Sequence, residues 1–267
     1  MNNLITRAKE LLENKSVQVV IGYETGPTGL TRPAFITDPA KADTLIYDDR
    51  CLHNLAVYLT KPEVKRLGKM AIVATLPAMR SIMMLISEQQ ISAGSIVVLG
   101  ISSEGQLLDI ADIQVMHDYI GKADLSNPEK DKELLAELNK LRPEEKFAYW
   151  QNELSKCFKC YACRQACPMC YCTRCSVEVN QPQWIPVQSN THGNMEWHIL
   201  RAMHLAGRCI SCGECGRACP VGIPCHLLTM QMVDQVRNYF GVYAGTTDKM
   251  SSVLSTYEPN DKESFIV

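Results

Sequence analysis

Over residues 4–12 the apolar side chains recur every three or four positions, which puts them on one face of a helix, and the branched run 17–21 that follows stops at Gly22. Short apolar runs recur at 44–47, 70–74 and 95–99, separated by helical patterns at 52–59 and 79–89. Strands alternating with helices need crossover connections, so the expected fold class is an α/β domain with a mostly parallel sheet over residues 1–125. A polar connector at 121–131 leads to a charged helical pattern with Leu134, Leu138 and Leu141 on one face. Pro143, Glu144 and Glu145 then open another helix, because proline lacks an N–H that a first turn leaves unpaired and carboxylates suit its positive end. Phe147, Trp150 and Leu154 are expected to face inward, and residues 126–156 read as linking helices. Further on, Pro182 and Pro186 mark an extended stretch. Asn194 is expected to cap a helix carrying Met195, Ile199, Ala202 and Met203 that stops at Gly207. A last stripe of Leu228, Met232, Val236 and Phe240 ends at Gly241, leaving a polar tail over 242–267.

A chain of 267 residues suits two domains, and 46% hydrophobic with 21% charged residues is the composition of a folded protein. A formal charge of -2 and a pI near 6.3 supply no general attraction for nucleic acid or anionic membranes. No apolar run approaches the roughly 18 residues of a spanning helix, and residues 1–15 carry Arg7, Lys9, Glu10 and Glu13 where a signal peptide is apolar. The expectation is therefore a cytoplasmic protein without a transmembrane segment. In that compartment the cysteines change the picture. Of 13, only Cys51 precedes Cys157, and the other twelve lie between Cys157 and Cys225. Such clustering in a reducing environment points to metal ligation rather than disulfides.

The cluster contains one motif twice. Cys157, Cys160, Cys163 and Cys167-Pro168 are matched, spacing for spacing, by Cys209, Cys212, Cys215 and Cys219-Pro220. Three thiolates two residues apart wrap one iron-sulfur cubane, while the fourth, before its proline, reaches the other cluster. The expected sites are two 4Fe-4S clusters, one on Cys157, Cys160, Cys163 and Cys219, the other on Cys209, Cys212, Cys215 and Cys167. Zinc knuckles also use paired Cys-x2-Cys units, but they need no Cys-Pro ending. Closed thiolate coordination leaves no vacant iron, so electron transfer is expected and no catalytic residue is assigned. Cys170, Cys172, Cys175 and Cys225 remain over. They suit a third cluster or a zinc ion, or they are shielding thiols, one of which replaces Cys167.

The wide separation of the two motifs, with a helix between them, resembles the α-helical dicluster ferredoxins of succinate dehydrogenase and heterodisulfide-reductase-type complexes. Met203-His-Leu-Ala-Gly-Arg208 and Cys219-Pro-Val-Gly-Ile-Pro224 resemble iron-sulfur subunits of cytoplasmic formate dehydrogenase and hydrogenase assemblies. These resemblances imply an α-helical 2x4Fe-4S ferredoxin domain over 157–241 behind the α/β domain. Met70-Ala-Ile-Val-Ala-Thr-Leu-Pro77-Ala78-Met-Arg80 resembles the strand-to-helix turn of the β subunits of coenzyme F420-reducing hydrogenases and formate dehydrogenases. In that family a cysteine often follows the proline. Ala78 stands there in this chain, so neither an extra cluster nor a flavin site carries over.

Two functions follow. The first is an iron-sulfur electron-transfer subunit of a multi-subunit oxidoreductase, placed between a catalytic formate dehydrogenase or hydrogenase subunit and a flavoprotein or heterodisulfide-reductase-like partner. The alternative is a subunit that binds FAD and oxidises or reduces F420 or NAD(P)H at its own site in the N-terminal domain. A nucleic-acid-binding regulator is disfavoured by the acidic balance. Gly22, Gly26 and Gly29 lack the G-x-G-x-x-G spacing and read as a plain loop. Cys51 and His53 read as an ordinary buried thiol and core histidine. His192, His198 and His204 lack the four-residue spacing of a helical metal pair and, like Met83 and Met84, read as structural.

Overall fold

The computed structural model describes residues 2–179 and 181–249. They form two compact units, one of residues 2–123 with 245–249 and one of residues 124–244. In the first, α1 (Asn2–Glu13), β1 (Val19–Thr25) and β2 (Thr31–Ile36) are followed by α2 (Pro62–Lys65), β3 (Met70–Ala74), α3 (Leu76–Ser87), β4 (Ile96–Ile101), β5 (Leu107–Ile110) and α4 (Ile113–Lys122). The sheet order is β2-β1-β3-β4-β5, with β1, β3 and β4 parallel and the edges β2 and β5 antiparallel. The sheet is thus mixed, not mostly parallel as expected.

Tight turns are the physical reason, since strands joined by a hairpin can only run antiparallel. The Gly26 N–H donates to the Leu30 carbonyl at 2.7 Å, and Gly29 takes a φ of +78°. Between β4 and β5 the Gly105 N–H donates to Ser102 O at 3.0 Å, with Gly105 at a φ of +77°. β2 has a largely exposed face and contains Pro33, and β5 spans only four residues. Neither makes a long apolar run, and so neither was legible. Two other expectations also shift. Residues 44–47 make only an isolated bridge, Ile46 to Tyr23, and 52–59 gives a 3₁₀ helix, Leu55–Thr60, capped by the Asn54 side chain.

The core of this unit forms because β1 and β3 are apolar on both faces. All five residues of β3 are buried, and α3 covers them with Ala78, Met79, Ile82, Met83 and Leu85, each 0% exposed. Each large side chain withdrawn this way contributes about 1.5–3 kcal/mol. A Cβ on Gly22 would lie 2.5 Å from Leu45 Cδ2, so that glycine serves close packing and not a phosphate. Cys51 is buried as expected, its sulfur accepting from the Asp48 N–H at 3.4 Å.

The second unit is helical: α5 (Glu129–Lys140), α6 (Pro143–Ser155), α7 (Ala162–Gln165), α8 (Thr191–His204), α9 (Glu214–Arg217) and α10 (Cys225–Phe240). Leu135, Leu138, Trp150, Leu154, Met195, Trp197, Leu227 and Met230 form its core together with Cys163, Cys215 and Cys225. Phe147, expected inside, is 57% exposed, because the buried residues of α6 are confined to its C-terminal half. The cap of α8 is Asn190, whose side chain accepts from the Gly193 N–H at 2.8 Å, and not Asn194. α10 ends at Gly241, in the left-handed conformation that a helix stop favours. Among the described residues no helix is long and apolar enough to cross a membrane. Most of the expected polar tail lies outside the described residues.

Candidate metal centre

The two motifs fold alike, residue for residue. Lys159 and Ser211, two positions after the first cysteine of each motif, both take left-handed backbone, with φ of 55° and 59°. Two positions later Tyr161 and Gly213 do the same, at 59° and 74°. This tight coil turns an amide back on the first sulfur in each case: Lys159 N–H to Cys157 Sγ at 3.3 Å and Ser211 N–H to Cys209 Sγ at 3.4 Å. One helical turn follows, α7 or α9, and the fourth cysteine closes it. Cys167 N–H bonds to Arg164 O, and Cys219 N–H to Gly216 O, both at 3.2 Å. α7 and α9 pack against each other, which brings the repeats together.

Around the first motif, Cys157, Cys160, Cys163 and the distant Cys219 line one open pocket. Phe158, Tyr161, Trp197, His198, Val221 and Cys225 are among its other lining residues, with Lys159 and Ile223. The Ile223 N–H holds Cys219 Sγ at 3.3 Å. Around the second motif, Cys215 lies close enough to push Cys209 up, and Cys209 and Cys215 close enough to push Cys212 up. Cys167 faces Cys170, and Cys167 and Cys215 share the Arg201 guanidinium.

Of the four remaining thiols, Cys170 and Cys225 both lie near Cys163. The Cys225 thiol lies between Cys163 and Cys215 and donates to the Cys215 carbonyl at 3.1 Å. Cys170 faces Cys167, Cys175 lies near Tyr161, and Cys172 is exposed. Among the described residues no three His, Cys, Asp or Glu side chains close on a point as a single ion requires. The thiols of the first set instead surround a space, which suits a cubane better than a zinc ion.

Iron binds thiolate, so the electrostatics of the thiols matter. Burial pushes Cys157 and Cys209 up and holds Cys212 at about 12, the neighbouring sulfurs adding to it. Cys163 and Cys215 are lowered, chiefly by the neighbouring Cys225 thiol and then, against burial, by Arg201. Assembly of a cluster here must therefore release protons from several buried thiols.

The helix between the motifs supplies what sequence reading missed. On one face of α8 stand Asn194, Trp197, His198 and Arg201, all buried. The Asn194 amide donates to Leu154 O at 3.1 Å and Cys157 O at 2.7 Å, fixing the start of the first motif. Trp197 Nε1, His198 Nε2 and Arg201 Nε are buried without a hydrogen-bond partner. Trp197 and His198 line the first cavity, and the Arg201 Nη2 donates to Cys163 O at 3.0 Å. Burial, then the charges of Arg201 and Lys159, hold His198 down at about 4, so its ring is neutral. Buried orphan donors beside grouped thiols are what a sulfide-rich acceptor would satisfy, and by this measure the residues fit an iron-sulfur cluster. Their three- and four-residue spacing was the available signal; the lack of a second histidine four residues away concealed it.

Known proteins agree with this chemistry. Residues 153–223 match the family model of the 4Fe-4S dicluster domain. The chain is similar to the F420-dependent formate dehydrogenase subunit beta of Methanocaldococcus jannaschii, 30% identical over 107 residues, which is 40% of this chain and 27% of that protein. It is also similar to the F420-dependent formate dehydrogenase 1 subunit beta of Methanococcus maripaludis, 29% identical over 105 residues, 39% of this chain and 26% of that protein. The chain thus spans about a quarter of the length of the curated relatives it matches. The resemblance to dicluster ferredoxin domains and to F420-dependent formate dehydrogenase beta subunits is borne out.

Proposed function

We propose that this chain is the electron-transfer subunit of a multi-subunit oxidoreductase, passing single electrons through two 4Fe-4S clusters. Cys157, Cys160, Cys163 and Cys219 hold the first cluster, and Cys209, Cys212, Cys215 and Cys167 the second. The observation that carries the reading is the crossed arrangement at the first motif, where a cysteine from the second repeat lines the same cavity as three from the first. A bound 4Fe-4S cluster supplies reversible uptake of one electron at all-thiolate iron. The chain's own residues do the rest. The left-handed turns aim the sulfurs, the amides of Lys159, Ser211 and Ile223 hold three of them, and the apolar core of the helical unit excludes water. Cys170 and Cys225 act as neighbours of the two clusters and not as ligands of a third, a role supported by their place beside Cys163, Cys167 and Cys215.

The relatives' names point to a formate dehydrogenase subunit as one partner, and the resemblance to dicluster ferredoxins points to a similar dehydrogenase or hydrogenase subunit in its place and to a flavin- or disulfide-reducing subunit on the other side. Anaerobic isolation tests the reading. Eight irons with matching labile sulfide, a paramagnetic signal after dithionite, and co-purification with a dehydrogenase subunit are the expected results. A chain without iron would sink it. An absorption spectrum with flavin remaining after correction for iron-sulfur bands would transfer the function to the FAD-bearing alternative.

A further inference from the structure

The Arg201 guanidinium lies near thiols of both motifs, Cys163 and Cys167 of the first and Cys215 of the second. It sits on the buried face of α8, 5% exposed, with Nη2 fixed by the Cys163 carbonyl at 3.0 Å. The remainder of the group reaches the thiols of Cys170 and Cys215. Its Nε is buried and has no hydrogen-bond partner, so the side chain keeps unused donor capacity. A buried cation without a carboxylate partner is costly unless negative charge lies close by. Here the groups placed to carry such charge are sulfurs of both repeats, Cys163, Cys167 and Cys170 from the first and Cys215 from the second.

We infer that Arg201 is the shared counter-charge of the two centres, setting both reduction potentials and holding them close together for transfer between them. This rests on the two-cluster reading above. Reduction adds one electron to a centre from an external donor such as dithionite. No proton need move, because guanidinium keeps its proton throughout. The added negative charge is stabilised by a fixed positive charge in a low-dielectric site, so the reduced form gains more than the oxidised form and the potential rises.

The test is an anaerobic redox titration, followed by paramagnetic resonance, of the full chain and of Arg201→Gln and Arg201→Lys, with iron counted in each. The expected result is that Arg201→Gln keeps its iron and shifts both centres to lower potential, while Arg201→Lys restores most of the shift. Loss of iron from Arg201→Gln but not from Arg201→Lys supports the inference equally, since it too follows charge. Unchanged potentials in Arg201→Gln, an equal shift in both variants, or iron loss from both would overturn the inference and leave Arg201 a packing residue. Absence of iron from the unaltered chain would instead overturn the two-cluster reading itself.

Discussion

Gly216 and His226 show how the two repeats, alike in backbone, diverge in their side chains. The corresponding position of the first motif is Arg164, whereas a Cβ on Gly216 would lie 2.0 Å from His226 Nδ1. The missing side chain admits the imidazole ring, which Asp131 Oδ1 on α5 holds through Nε2 at 3.3 Å. Gly216→Ala is therefore expected to push the ring out and cost about 1–3 kcal/mol, as overpacking does; thermal unfolding with iron counted alongside checks it. Trp197 offers a milder test, since Trp197→Phe keeps the ring stacked near Tyr161 but deletes the orphan N–H at the first cavity. A hydrogen bond worth about 0.5–1.5 kcal/mol corresponds to roughly 20–60 mV for one electron. The first centre should fall by that order while the second stays put, and equal potentials before and after would remove Trp197 from the cluster environment. Cys51, by contrast, is buried in the sheet unit and pushed up by that burial, so its thiolate is scarce at neutral pH. It should resist alkylation in the folded chain.

At the scale of elements, the helical unit depends on α6 and α8 lying against each other just ahead of the first cysteine. Leu154 is 0% exposed at the end of α6, and its carbonyl accepts both the Cys157 amide at 3.1 Å and the Asn194 side chain. Leu154→Ala should cost about 2–5 kcal/mol by cavity formation and should loosen the first motif before the second, visible as earlier loss of one cluster on heating. Much of this was legible in the sequence. The pattern of Leu134, Leu138 and Leu141 predicts α5, and Pro143 with two glutamates predicts the start of α6, because helix period and capping are written within a few residues. Asn194 misleads because an asparagine near a helix start suits a cap. Its actual partners, Leu154 and Cys157, lie far away along the chain.

For the whole molecule, the helical unit has thiols where an ordinary domain has leucine, since Cys163, Cys215 and Cys225 sit inside its core. Clusters there would contribute to folding as well as to electron transfer. Stripping iron by an oxidant with a chelator should therefore lose helical circular dichroism while the β signal of the five-stranded sheet persists; retention of full helicity without iron would show that the core stands alone. The sequence by itself determined the repeated ligand spacing, the existence of the helices and the stop at Gly241, since each is a relation between residues within a turn or two; the buried faces shifted, with Ile199 and Met203 exposed on α8 and Leu227, Met230 and Val233 buried on α10 in place of Leu228 and Met232. Tertiary structure alone decided that β2 and β5 run antiparallel at the edges, and that Trp197, His198 and Arg201 are buried beside the first motif. The physical reason is range: strand neighbours and buried polar partners are chosen by distant parts of the chain, and no local period records that choice.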